Sequence, residues 1–110
     1  FTMEQVFYRE RLQQRQGIDV VLPDAADREI VHRVIYDELC AGQLRDASRD
    51  EYRRIISRLV AKGAQAVILG CTEISLLVNA ADAAVPLFDT TRIHATTAAE
   101  YALADRQSFP

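Results

Sequence analysis

The 110-residue chain has no tryptophan, two cysteines, three prolines and four glycines, and what is scarce already removes several classes of protein. Cys40 and Cys71 stand far apart without C-x-x-C spacing, so neither a zinc site nor a disulfide framework is indicated. Two free thiols in a reducing compartment are the simpler reading, and no metal ligand set is visible. No internal repeat, low-complexity tract or linker interrupts the chain. No apolar stretch approaches the length of a membrane span, and no basic-then-apolar signal pattern opens it; a cytoplasmic protein without a membrane partner is expected. A basic block is also lacking. The net charge is -3, and Arg45, Arg49, Arg53, Arg54 and Arg58 are interleaved with acids, which reads as a solvated helix face and argues against a nucleic-acid partner. Neither a G-x-x-x-x-G-K-[ST] phosphate loop nor a G-x-G-x-x-G dinucleotide turn occurs, so nucleotide cofactors are unsupported.

What is present is a chain 49% hydrophobic and 26% charged, enough for one globular domain, residues 1–110, with a modest core. Thr2-Met3-Glu4-Gln5 has the pattern of a capping box, with Phe1 placed to staple against Val6, and predicts a helix to about Gln16 capped by Gly17. In α/β folds a strand normally feeds such a helix. The expectation is therefore a fragment whose first strand, and a preceding domain, are missing. Asp19-Val20-Val21-Leu22 reads as a short strand closed by Pro23-Asp24. Ile30, Val31, Val34, Ile35 and Leu39 mark an amphipathic helix that Gly42 terminates. Ser48 and Glu51 form a second capping-box pattern ahead of Tyr52, Ile55, Ile56, Leu59 and Val60, with Gly63 at the end. Val67-Ile68-Leu69 is a buried strand, a short helix covers about 72–78, and Val85-Pro86-Leu87-Phe88-Asp89 is a brief last strand that Pro86 weakens. Thr90 or Thr91 caps a final helix with Ile93, Ala98, Tyr101 and Ala102 available for burial. This alternation predicts a three-layer α/β/α sandwich with a short parallel sheet.

Cys71 follows Gly70 where an apolar strand ends, and open α/β sheets bind ligands at the carboxyl ends of their strands. The amides and dipole of the next helix are expected to favour its thiolate, the form that acts as base or nucleophile. A small buried hydrophobe is the bland alternative, and it is the preferred reading for Cys40. If the topology is right, Cys71-Thr72-Glu73 and Asp89-Thr90-Thr91 share one rim, with His94 a turn later. Together they offer a thiol, hydroxyls and amides for a carboxylate, and an acid and an imidazole to orient or titrate the thiol. Capping alone accounts for Asp89 and Thr91 equally well, His94 is also compatible with a plain first-turn polar residue, and His32 reads as a helix-surface histidine. A cysteine phosphatase is excluded because Leu77 stands where its loop carries arginine. A Cys71-His94-Asp89 hydrolase remains arithmetically open.

Gly63-Ala64 followed by Val67-Ile68-Leu69-Gly70-Cys71-Thr72-Glu73-Ile74 resembles the second-cysteine motif of the aspartate/glutamate racemase family. Phe1-Thr2-Met3-Glu4-Gln5 with Phe7-Tyr8, Ile35-Tyr36-Asp37-Glu38-Leu39 with Gly42, and Val85 to Thr91 with Ile93-His94-Ala95 resemble further blocks of that family in the same order. The resemblance implies an isomerase that works without pyridoxal phosphate or any other cofactor. Two acidic groups on opposite faces of an amino acid exchange its α-proton, and Cys71 matches one of them. It also implies substrate binding by Thr72 and Thr2, with Glu73, Asp89 and His94 as tuning groups behind them. Family members have two domains with the site in the cleft between them, and this chain resembles the second alone; its partners are then an amino-acid substrate, the missing N-terminal domain and, through the exposed last helix, a second copy in a homo-oligomer. With one base, inversion lacks its donor, so the isolated chain is expected not to racemise. The alternative from another class is a non-catalytic binding or oligomerisation module of the same fold.

Overall fold

The structure is a computed structural model and describes residues 2–104. Three helices, α1 (Val6–Gln16), α2 (Ala25–Arg33) and α3 (Asp46–Ala61), precede an alternating stretch of β1 (Val67–Leu69), α4 (Ile74–Leu77), β2 (Leu87–Asp89) and α5 (Thr90–Leu103). The fold is α/β, and β1 and β2 pair in parallel with Val67 opposite Leu87, Ile68 opposite Phe88 and Leu69 opposite Asp89. Pro86 lies just before β2, where its missing N–H costs the ladder nothing and its carbonyl accepts from the Val67 amide at 2.9 Å.

The amphipathic patterns of the two central helices build the core. α2 runs on through a π-helical turn, Val34–Glu38, and a 3-10 turn, Leu39–Ala41, before Gly42 ends it at φ 72°. Val31, Val34 and Leu39 from this stretch pack with Tyr52 and Ile55 of α3, Leu69 of β1, and Ile74, Leu77 and Val78. The Tyr52 hydroxyl, which burial forces to find a partner, donates to the Val31 carbonyl at 3.1 Å. Only one face of the sheet is packed this way: the register partners Ile68 and Phe88 are 41% and 47% exposed.

Several local expectations are corrected. Thr2–Glu4 is a 3-10 turn whose Thr2 carbonyl accepts from the Gln5 amide, and α1 starts at Val6 without a side-chain cap, so the first capping box is not formed. Its proposed staple falls on Phe1, outside the described residues. Asp19 to Leu22 forms no strand. A strand needs a neighbour to take its amides and carbonyls, and among the described residues the only ladder joins β1 to β2. Ser48 does not cap α3, which begins two residues earlier. Its buried hydroxyl donates to Glu38, a carboxylate that cannot stay in the core without partners.

The same demand recruits the arginines of α3. Their side chains stay partly exposed, but Arg49 and Arg53 close on Asp82, Arg58 on Asp27, and Arg45, just before α3, with Arg33, on Glu38. Along the helix itself Arg54 pairs with Glu51, and Arg53 also reaches Asp50. α5 is capped by Asp89, not by a threonine, and it buries none of its residues. No helix among the described residues is long and apolar enough to cross a membrane.

Candidate active site

Parallel pairing brings the ends of β1 and β2 to the same rim, as their sequence positions predict. Gly70 and Thr72 from one end and Thr90, Thr91, His94 and Ala95 from the other line a shallow, open cleft. The two ends are tied directly: the Thr90 hydroxyl donates to the carbonyl of Leu69, the last residue of β1, at 3.1 Å. Nothing in the sequence singled out Thr90 for this; the only signal is that it follows a parallel strand whose neighbour ends opposite.

Cys71 lies between the lining residues Gly70 and Thr72, half-buried and packed against the core. Its thiol donates to Glu73 Oε2 at 2.9 Å. Burial first, and then the Glu73 carboxylate, push the thiol above its ordinary pKa. This reverses the expectation of a favoured thiolate. The backbone amide of Glu73 does pull the pKa down, but it is outweighed. The reason is local: α4 is one turn long and starts only at Ile74, so little helix dipole reaches the sulfur. Glu73 itself is held below the usual carboxylate range by its bonds from Cys71 and then Thr72, and so stays ionised beside a neutral thiol.

The other anticipated residues divide. Thr72 and His94 line the cleft. Asp89 does not face Cys71 in any described bond: its Oδ1 accepts from the Thr91 and Arg92 amides at 3.0 and 3.2 Å, which is helix capping. With that oxygen committed, and with Cys71 bonded to Glu73, no described hydrogen bond assembles a Cys71-His94-Asp89 triad. Thr2 is exposed on its 3-10 turn and does not line this cleft. Cys40 is exposed and unbridged, and His32 stacks against Tyr36 with ring centroids 4.6 Å apart on the surface. Among the described residues no group of three or more His, Cys, Asp or Glu stands close enough to hold a metal ion.

A hydrogen-bonded thiol at the carboxyl end of a parallel strand, beside a cleft of hydroxyls, defines an α/β unit equipped for acid/base or thiol chemistry at a strand-end crevice. The family is then given by comparison: residues 1–98 match the model of the Asp/Glu/Hydantoin racemase family, and the chain belongs to that family. The crystal structure of a candidate Asp/Glu racemase from Yersinia pestis is similar at a TM-score of 0.85 and 61% identity, covering 94% of this chain and 45% of its own. That of an aspartate racemase homologue from Pyrococcus horikoshii OT3 gives 0.81 and 34% over the same shares. The chain thus spans about 45% of the length of these solved relatives.

Proposed function

We propose that the chain carries one half of the site of a cofactor-independent racemase for aspartate, glutamate or a related amino acid, with Cys71 as one of its two acid/base groups. The observation that supports this best is the Cys71–Glu73 pair at the cleft, in a chain of this family. The α-hydrogen of an amino acid is a very weak acid, so one group must take it while another returns a proton from the opposite face. Passage of the Cys71 proton to Glu73 gives a thiolate that removes the α-proton. In the reverse direction the thiol donates it. The hydroxyl of Thr72 holds the substrate carboxylate, and His94 stands across the cleft from it; Thr2 has its binding role from the resemblance alone. The second acid/base group belongs to the part of the relatives beyond this chain, so the chain alone does not invert substrate. The protein is cytoplasmic and associates through surfaces such as α5, which buries nothing. That unburied helix is also what favours the second reading, a non-catalytic oligomerisation module.

The test is proton NMR of L- and D-aspartate and glutamate in deuterated water, with the chain alone and with the remaining part of the Yersinia pestis relative added. Loss of the α-proton signal with inversion, seen only with both parts and abolished by Cys71→Ala, is the expected result. No exchange when both parts are folded and associated would sink the racemase reading for these substrates and favour the module.

A further inference from the structure

The Cys71 thiol reaches its position through a weak joint. Gly70 separates it from β1; it is exposed, and a Cβ built on it would meet nothing within 4 Å, so its side-chain direction faces open space. Gly70 has no positive φ either, so conformation alone does not require glycine. On its other side Cys71 leads into a helix of one turn, where its own carbonyl accepts a long bond from the Ile74 amide at 3.4 Å. Against this looseness stands the bond across the strand ends from Thr90 to Leu69 at 3.1 Å. Thr90 directly follows Asp89, the strand residue paired with Leu69, and opens a 14-residue helix that Asp89 caps.

We infer that Thr90 is a positioning residue: its hydroxyl, by holding the Leu69 carbonyl, keeps the Gly70–Cys71 turn seated so that the thiol remains half-buried against Glu73. The inference rests on the reading of Cys71 as the acid/base group. When the bond is lost, Gly70 lets the turn swing outward, and the thiol gives up the burial that foremost holds its proton, while Glu73, on the same segment, moves with it. The charged and titratable groups facing Cys71 are Glu73 on its own segment, Tyr52 from α3, Cys40 from the 3-10 turn after α2 and, across the cleft, His94 from α5. Thr90 carries no charge, so replacing it changes none of them directly.

The experiment is the pH profile of Cys71 alkylation by iodoacetamide on the full chain, in a Cys40→Ser background that leaves one thiol to read. Thr90→Ser keeps the hydroxyl and is expected to reproduce the parent profile. Thr90→Val and Thr90→Ala remove it. Each is expected to lower the midpoint and speed alkylation at neutral pH by roughly threefold to tenfold, a full unit of midpoint being tenfold in thiolate well below it. Two hydroxyl-free variants are used because alanine keeps the helix start even if valine disturbs it. Profiles of both that superimpose on that of Thr90→Ser overturn the inference, whether or not melting temperature has fallen; a lower melting temperature alone marks a merely structural residue. The readout follows the thiol and not turnover, so the racemase reading can fail while this one stands, and the reverse.

Discussion

Replacing Asp82 with alanine tests the way the chain pays for charge in its interior. The Asp82 side chain is fully buried, while the two arginines that hold it, Arg49 and Arg53, are 31% and 46% exposed. Arg49 grips it at 3.0 and 3.1 Å and Arg53 at 2.5 Å, and a third partner, the Asn79 amide, donates to it at 2.8 Å. The carboxylate thus ties the 3-10 turn Ala80–Asp82 to the outer face of α3. Breaking a buried pair costs about 3–5 kcal/mol when a charge is left stranded in the interior. Here the stranded charges can turn to water, so the lower end applies, about 3 kcal/mol, part of it the orphaned Asn79 amide. For a chain of this size that is a fall of roughly 10–20 °C in melting temperature, read by circular dichroism and checked by urea titration. Asp82→Asn keeps an acceptor for Asn79 and is expected to lose less. The linkage has a definite sign. Arg49 foremost holds the carboxyl well below the usual carboxylate range, so the folded pKa is the depressed one. Its contribution is complete above the unfolded value of about 4 and is lost as pH falls from there through the folded value. Asp82→Ala should accordingly flatten acid unfolding in that window. A loss under about 0.5 kcal/mol, the range of an ordinary surface change, would refute the reasoning.

Other outcomes follow from the same geometry. At pH 7, mass spectrometry of the partly alkylated chain should find Cys40, which is exposed, modified ahead of the half-buried Cys71; the opposite order would show that the thiolate is favoured after all. Glu73→Gln removes a carboxylate that raises the Cys71 pKa but leaves the burial, so alkylation of Cys71 should quicken by roughly threefold in thiolate fraction, and an unchanged rate would show that burial alone sets it. Leu39→Ala, in the core, should cost about 2–5 kcal/mol in urea unfolding. Ile68→Thr, on the open sheet face, should stay within about 0.5 kcal/mol, and a larger, concentration-dependent loss would reveal a second copy covering that face.

Some of this is legible in the sequence. Helix ends marked by Gly17, Gly42 and Gly63 could be read because only glycine is at ease in the left-handed conformation they adopt. The strand-end pairing of the Cys71 and Asp89 segments followed from apolar runs and turn chemistry alone. What failed was information that is not local. Val20 and Val21 have strand character, but a strand exists only when another accepts its hydrogen bonds, and no described segment does. Ser48 has the type of a cap, yet it is claimed by Glu38, ten residues earlier in sequence and brought near only by the α2–α3 packing. The arginines of α3 looked like a surface pattern because their partners Asp27 and Asp82 are distant in the chain. For Cys71 the sign of the pKa shift depended on whether the following helix was long and whether the thiol was covered, and the sequence overestimated the first and could not read the second.

That shift bears directly on how the proposed reaction would be controlled. A thiol held neutral is a poor nucleophile and resists oxidation, which proceeds through the thiolate. It is also a poor base, and a racemase needs a base on one face of its substrate. The two demands are met if the missing charge arrives with the substrate. An amino acid whose carboxylate is held at Thr72 carries its ammonium group on the adjacent carbon, and a positive charge within about 4–6 Å of a thiol lowers its pKa. In the proposed two-part enzyme, closure of the cleft would remove water and strengthen that effect. Glu73, already ionised, is in place to take the proton that the sulfur gives up. Under the proposed mechanism Cys71 is at rest in this chain, and with the remaining part of the Yersinia pestis relative added the midpoint of its alkylation should fall on addition of a substrate analogue that keeps the ammonium group. An analogue of the same shape without that group should leave it where it is. Equal shifts from both would place the control in closure alone.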